Sequence, residues 1–180
     1  MEIVENIHQV DGVNANVYIT IEKEGLTLID TGMPNNAKKI LNYVKGIKRK
    51  PADISTIVLT HGHIDHVGSA QELKKLTNAK IAVHQEDADV VAGNKKPPRP
   101  KGAMGVMVRA LSPFFKFAPV QADIILREND HIGPLQVLHT PGHTPGSISL
   151  YDSMRKVMFV GDTIRFANRS KSTRLNSSHT

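Results

Sequence analysis

Polar and apolar positions alternate at the start of the chain. Segments 4–10 and 16–21 set β-branched and aromatic residues between polar ones, which predicts two strands. Glu24-Gly25 predicts a turn, and Leu26-Thr27-Leu28-Ile29 a buried strand after it. The period then changes. Ala37, Ile40, Leu41 and Val44 recur at helical spacing, so an amphipathic helix is expected over 35–44. Ile57-Val58-Leu59 reads as a strand, 70–76 as a helix, and Ile81-Ala82-Val83 as a strand. Segment 94–101, rich in Lys and Pro, is expected to be an exposed loop. Beyond it Met104, Met107, Val108 and Leu111 return to helical spacing, ahead of Phe114, Phe115 and Phe117. Strands resume at 124–126, 135–138, 148–151 and 157–160. A hairpin-rich start followed by alternating strand and helix predicts an α/β (α+β) fold of sheets covered by helices.

Composition narrows this little. The 180 residues amount to one domain, 39% hydrophobic and 22% charged, as in a globular protein. No apolar run approaches the roughly 20 residues of a membrane span, and no membrane partner is expected. The acidic start, Met1-Glu2-Ile3-Val4-Glu5, has no signal-peptide character, so a cytoplasmic location is expected. The chain has no cysteine, so any transition metal must be held by His and carboxylate. The net charge of +6 is partly local: Arg169, Lys171 and Arg174 lie in the last twelve residues, and the remainder has twenty basic and seventeen acidic residues. A mildly basic solvated surface accounts for that balance, and nucleic acid is not an expected partner. Segment 169–180 shows almost no apolar content. It is expected to be a disordered, non-native tail after a domain spanning 1–168.

Four buried strands are each followed by a polar group of ligand type: Asp30 after Leu28-Ile29, His61 after Val58-Leu59, His143 after Val137-Leu138, and Asp162 after Phe159-Val160. Sites in sheet proteins form where loops converge beyond strand carboxyl ends. The densest signal is Thr60-His61-Gly62-His63-Ile64-Asp65-His66. His61 and His63 alternate, so an extended loop aims both imidazoles at one point; Asp65 and His66, entering the next helix, serve a second. These ligand types suit zinc. Asp30 reads as the partner of an imidazole N–H, or as a turn-forming Asp before Gly32. His8, His84, His131, His139 and His179 lack such context and read as structural or exposed.

The His61–His66 motif, Gly142-His143 and Gly161-Asp162 together resemble successive motifs of the metallo-β-lactamase superfamily, in its hydroxyacylglutathione-hydrolase-like branch. The resemblance covers residues 1 to about 168. It implies an αββα sandwich, incomplete in its C-terminal half, with a dinuclear site between two sheets. It also implies that His61, His63 and His143 hold a first zinc, that Asp65 and His66 hold a second, and that Asp162 bridges them. One or two zinc ions are expected, with iron or manganese as alternatives. The family's last motif histidine has no counterpart in these residues, so a truncated, weakly active chain is expected.

The chemistry this predicts is metal-assisted hydrolysis. A bound metal lowers the pKa of water to about 7, and Asp65, as the catalytic residue, positions the resulting hydroxide and carries its proton. The expected substrate is a small thioester, ester or lactone, with the 104–117 segment as an apolar wall or lid. Glutathione thioesters are set aside because that branch's glutathione-binding part is missing, and β-lactams because there is no export signal. Three rivals stand beside this reading. One is a nucleic-acid-processing phosphodiesterase, for which Lys95, Lys96, Arg99 and Lys101 supply charge but few aromatics supply stacking. A second is a di-iron redox protein, against which His63 speaks. The third is a non-catalytic metal-binding fragment.

Overall fold

The structure, a computed structural model, describes residues 1–13, 15–96 and 117–164. The chain opens with β1 (Glu2–Val4), β2 (Ile7–Gln9), β3 (Tyr18–Glu22) and β4 (Gly25–Ile29), each antiparallel to the next of the four. Helix α1 (Ala37–Gly46) then carries the chain to β5 (Ile54–Leu59). The short α2 (Ile64–Val67) and α3 (Ala70–Thr77) lead to β6 (Lys80–His84), and α4 (Gln85–Val91) follows. After β7 (Ile124–Leu126), the strands β4 to β7 are parallel, as crossover helices require. Among the described residues these seven strands form one sheet in sequence order. A second, antiparallel sheet holds β8 (His131–Ile132), β9 (Leu135–His139), β10 (Ile148–Asp152) and β11 (Val157–Phe159) in the order β11-β10-β9-β8. None of the described helices is long and apolar enough to cross a membrane.

Strand periodicity divides the core in two. In β4, β5 and β6, Leu26, Leu28, Ile57, Leu59, Ile81 and Val83 face the helices and pack on Ile40, Val44, Val67 and Leu73. Their alternates Ile29, Val58 and Ala82 face the second sheet and meet Leu135, Val137, Ile148, Leu150 and Phe159. This is the expected layering of helices on sheet on sheet. Because β4 and β5 are parallel neighbours, their carboxyl ends lie at the same edge, and that edge carries Asp30 and His61.

One expectation changes, and two elements are additional to those expected. Segment 4–10 is not one strand: Asn6 takes φ +62°, a left-handed conformation Asn tolerates, and folds the chain back as the β1–β2 hairpin. Neither α4 nor β8 was anticipated, both being too short to show a period. In segment 94–101, residues 94–96 are exposed as expected. The rest of that loop, the 104–116 part of the expected lid, His179 and the proposed boundary at 168 lie outside the described residues. Phe117, last of the lid segment, packs half-buried on the core beneath the helices.

One buried ionic group ties the two sheets. Asp152, at the end of β10, has no exposed surface and accepts from the Met154 and Arg155 N–H groups (3.0 Å each) and from the Arg155 guanidinium at 2.6 Å. Arg155 also reaches Glu22 on β3 at 3.2 Å. Burial alone would raise the Asp152 pKa, but these donors outweigh it and hold it below the usual 3.8. A depressed carboxylate stabilises the fold above its unfolded pKa and loses that contribution as pH falls through its folded value. Asp152→Asn should therefore lower the thermal midpoint at pH 7, and the gap to the wild type should close below about pH 3.8. Midpoints measured from pH 3 to 7 check this.

Candidate metal centre

Loops leaving β4, β5, β9 and β11 bring the four strand-end residues together. His61 follows β5 and is 1% exposed; His63 is the residue before α2, and His66 lies inside it, 4% exposed. Ligand atoms of His61, His63 and His143 lie within 4.8 Å of one another, and so do those of His61, His66 and Asp162. His63 Nδ1 and His143 Nε2 are 2.8 Å apart. Asp162 reaches both groups, with Oδ1 3.4 Å from His66 Nε2 and Oδ2 3.5 Å from His143 Nε2. Asp65 stands outside both groups, its carboxylate half-exposed and 3.8 Å from His66 Nε2.

Asp30 meets both descriptions given by the sequence. It has φ +60° in the turn after β4, and its carboxylate faces inward. Oδ2 lies 2.7 Å from His66 Nδ1 and accepts the Thr60 hydroxyl at 2.7 Å, while Oδ1 accepts the Thr60 N–H at 2.8 Å. The Thr60 hydroxyl is also 3.1 Å from His61 Nδ1. Each of these two imidazoles thus has its Nδ1 engaged on the protein side.

The electrostatics separate the imidazoles. Burial pushes His61 down to about 2, and the neighbouring His66, His63 and His143 add to this, so its ring is neutral at physiological pH. Burial also lowers His63. Burial opposes charge on His66 as well, but the carboxylates of Asp30, Asp162 and Asp65 outweigh it and raise its pKa to about 10.

These residues fit a metal ion. His61 Nε2 is buried with no hydrogen-bond partner among the described residues, an arrangement that costs roughly 1–3 kcal/mol unless something occupies the lone pair. Neutral imidazoles and carboxylates are the donor set of zinc and related divalent ions. A cavity of about 320 Å³ adjoins the group, lined by Asp65, His66 and Asp162 and by apolar Tyr18, Met158, Phe159 and Ile164.

Comparison with known proteins agrees. The model of the metallo-beta-lactamase superfamily matches residues 10–175. The chain belongs to this superfamily. Within it, the probable metallo-hydrolase YflN of Bacillus subtilis is 30% identical over 181 residues, 94% of this chain and 68% of that protein. The acyl-coenzyme A thioesterase MBLAC2 of Bos taurus is 31% identical over 170 residues, 85% of this chain and 59% of that one. Among solved metallo-beta-lactamases, a class B3 di-zinc enzyme from an Alaskan soil metagenome superposes with a TM-score of 0.67 at 31% identity, over 81% of this chain and 53% of its own. The chain spans about half to two thirds of the length of these relatives. A metal cofactor follows from superfamily membership together with the histidine cluster.

The sequence reading missed one buried carboxylate beside these loops. Asp87, on the first turn of α4 and 1% exposed, accepts from Gly62 N–H at 2.8 Å, Thr144 Oγ1 at 2.7 Å and Gly146 N–H at 2.9 Å. Nothing in the run Gln85-Glu86-Asp87 marked it, because two of its three partners are backbone groups. Of the histidines set aside, His8 is buried beside Tyr43, and His84 stacks on His139 with ring centroids 4.1 Å apart. His131 is exposed.

Proposed function

We propose that this chain is a zinc-dependent hydrolase of small thioesters, esters or lactones, with His61, His63 and His143 holding one ion, His66 and Asp65 a second, and Asp162 between them. The observation that carries this reading is the Asp162 carboxylate set between two imidazole groups, together with a buried His61 Nε2 that has no partner among the described residues. When bound, the metal would supply hydroxide at neutral pH and charge for a developing oxyanion.

The chain's own residues would do the rest. Asp30 accepts from His66 Nδ1, leaving Nε2 directed to the Asp162 side. Thr60 links Asp30 to His61, so one buried carboxylate orients two imidazoles. Asp65, half-exposed at the cavity, is placed to hold an attacking water and take its proton. Tyr18, Met158, Phe159 and Ile164 offer apolar surface to an acyl chain and exclude water from it. The thioester preference draws on this lining and on the relative named an acyl-coenzyme A thioesterase. A small-molecule substrate in a soluble, cytoplasmic setting is part of the same proposal.

The test is a substrate panel on zinc-loaded protein: acyl thioesters of increasing chain length, a lactone and a phosphodiester. Thioester turnover above the other classes, abolished by Asp65→Asn while the ion at His61, His63 and His143 is retained, is the expected outcome. Preference for the phosphodiester would overturn the substrate class.

A further inference from the structure

Asp87 forms no ion pair among the described residues, although it is 1% exposed. A buried carboxylate served only by neutral donors is a costly way to fill space, since an apolar side chain would pack there without desolvating a charge. What a carboxylate supplies instead is direction. It has no donor of its own and several acceptor sites, so it draws donors from different segments to one point. The three donors here come from just two loops. Gly62 lies between His61 and His63 on the loop after β5, and Thr144 and Gly146 follow His143 on the loop after β9.

We propose that Asp87 is a positioning residue for the metal centre: its single carboxylate fixes the His61-Gly62-His63 loop against the His143 loop, and so sets the separation of their imidazoles. The proposal rests on the metal reading above. The two loops belong to different sheets and are 80 residues apart in sequence, yet His63 Nδ1 and His143 Nε2 lie 2.8 Å apart. One backbone bond, Ile148 N–H to Thr60 O at 3.0 Å, links the segments just before the first loop and just after the second. Asp87 links them at Gly62 and Thr144, which adjoin the imidazole-bearing residues, and at Gly146.

The packing leaves this junction little slack. A Cβ at Gly146 would lie 2.6 Å from the Asp87 nitrogen, and one at Gly62 would lie 3.1 Å from Val90 Cγ1. Helix α4 therefore sits flush against both loops. Asp87→Asn has nearly the same shape but must present its amide to one of three donors. If its oxygen keeps Gly62 and Thr144, its NH2 faces the Gly146 N–H. The substitution thus breaks the clamp without opening a void.

The experiment measures cobalt(II) and zinc affinity of the full 180-residue chain by chelator competition, with the cobalt d–d spectrum and thermal midpoint of each variant. Asp87→Asn should weaken metal binding about tenfold or more and shift the cobalt bands. Thr144→Val, which removes one donor and tests the clamp if Asp87→Asn does not fold, should weaken it in the same direction. Asp152→Asn removes another satisfied buried carboxylate, at the end of the β9–β10 pair opposite the His143 loop. It should lower the midpoint while keeping wild-type affinity and spectrum. Wild-type affinity and spectrum in Asp87→Asn or in Thr144→Val would overturn the positioning role. So would an equal loss of affinity in Asp152→Asn, which would reduce the effect to general destabilisation. Failure of the wild type itself to bind cobalt or zinc would instead overturn the metal reading.

Discussion

His61→Ala and His63→Ala should each abolish tight metal binding at the His61, His63 and His143 position. Sites with four protein ligands release about 10–16 kcal/mol on binding zinc, or roughly 3 kcal/mol per ligand. At about 1.4 kcal/mol per factor of ten, one lost imidazole costs more than a hundredfold in affinity. His61 is the sharper test, because it belongs to both groups, with His63 and His143 and with His66 and Asp162. Its loss should empty the first position and loosen the second, whereas loss of His63 should empty the first and spare the His66 and Asp162 side. His131→Ala, an exposed histidine with no place in either group, should leave metal content unchanged. Elemental analysis of the purified variants decides the matter, and a full complement of metal in His61→Ala would remove it from the ligand set.

Asp30→Ala should be among the most destabilising single changes in the chain. The carboxylate is 2% exposed and faces three groups at 2.7–2.8 Å, one of them the raised His66 imidazole. Its removal leaves the Thr60 N–H without that acceptor and the buried His66 imidazole without its nearest counter-charge, and breaking a buried pair in this way costs up to about 3–5 kcal/mol. Thr60 and His66 would then move, and His61, held through the Thr60 hydroxyl, with them. The expected result is a fall of several degrees or more in thermal midpoint, together with weaker metal binding. Denaturant titration of the metal-free proteins separates the two effects. An unchanged midpoint would show that Asp30 only shapes the turn.

Much of the centre was legible because strand periodicity and ligand chemistry meet at the same positions. Apolar runs at 57–59, 135–138 and 157–160 each end in a loop bearing a His or Asp, and parallel pairing puts Asp30 and His61 at one edge of the large sheet. The clustered imidazoles of 61–66 stood out because core packing has no use for such density. Elements too short for a period were not legible, which hid α4 and split 4–10 at Asn6. Asp87 stayed hidden for a different reason. Its partners lie 25 to 59 residues away and are mostly backbone N–H groups, which carry no residue identity to recognise. Asp65, which spacing grouped with His66, has its carboxylate 3.8 Å from His66 Nε2 in the lining of the cavity.

The central claim is that the loops after β5, β9 and β11 together hold metal through imidazole and carboxylate. X-ray absorption fine structure on the zinc-loaded chain tests it most directly. The account predicts a first shell of nitrogen and oxygen at about 2.0–2.1 Å, with the outer-shell scattering of several imidazole rings, lost in His61→Ala. Zinc that washes out of the wild-type chain, or a shell without imidazole scattering, would contradict it.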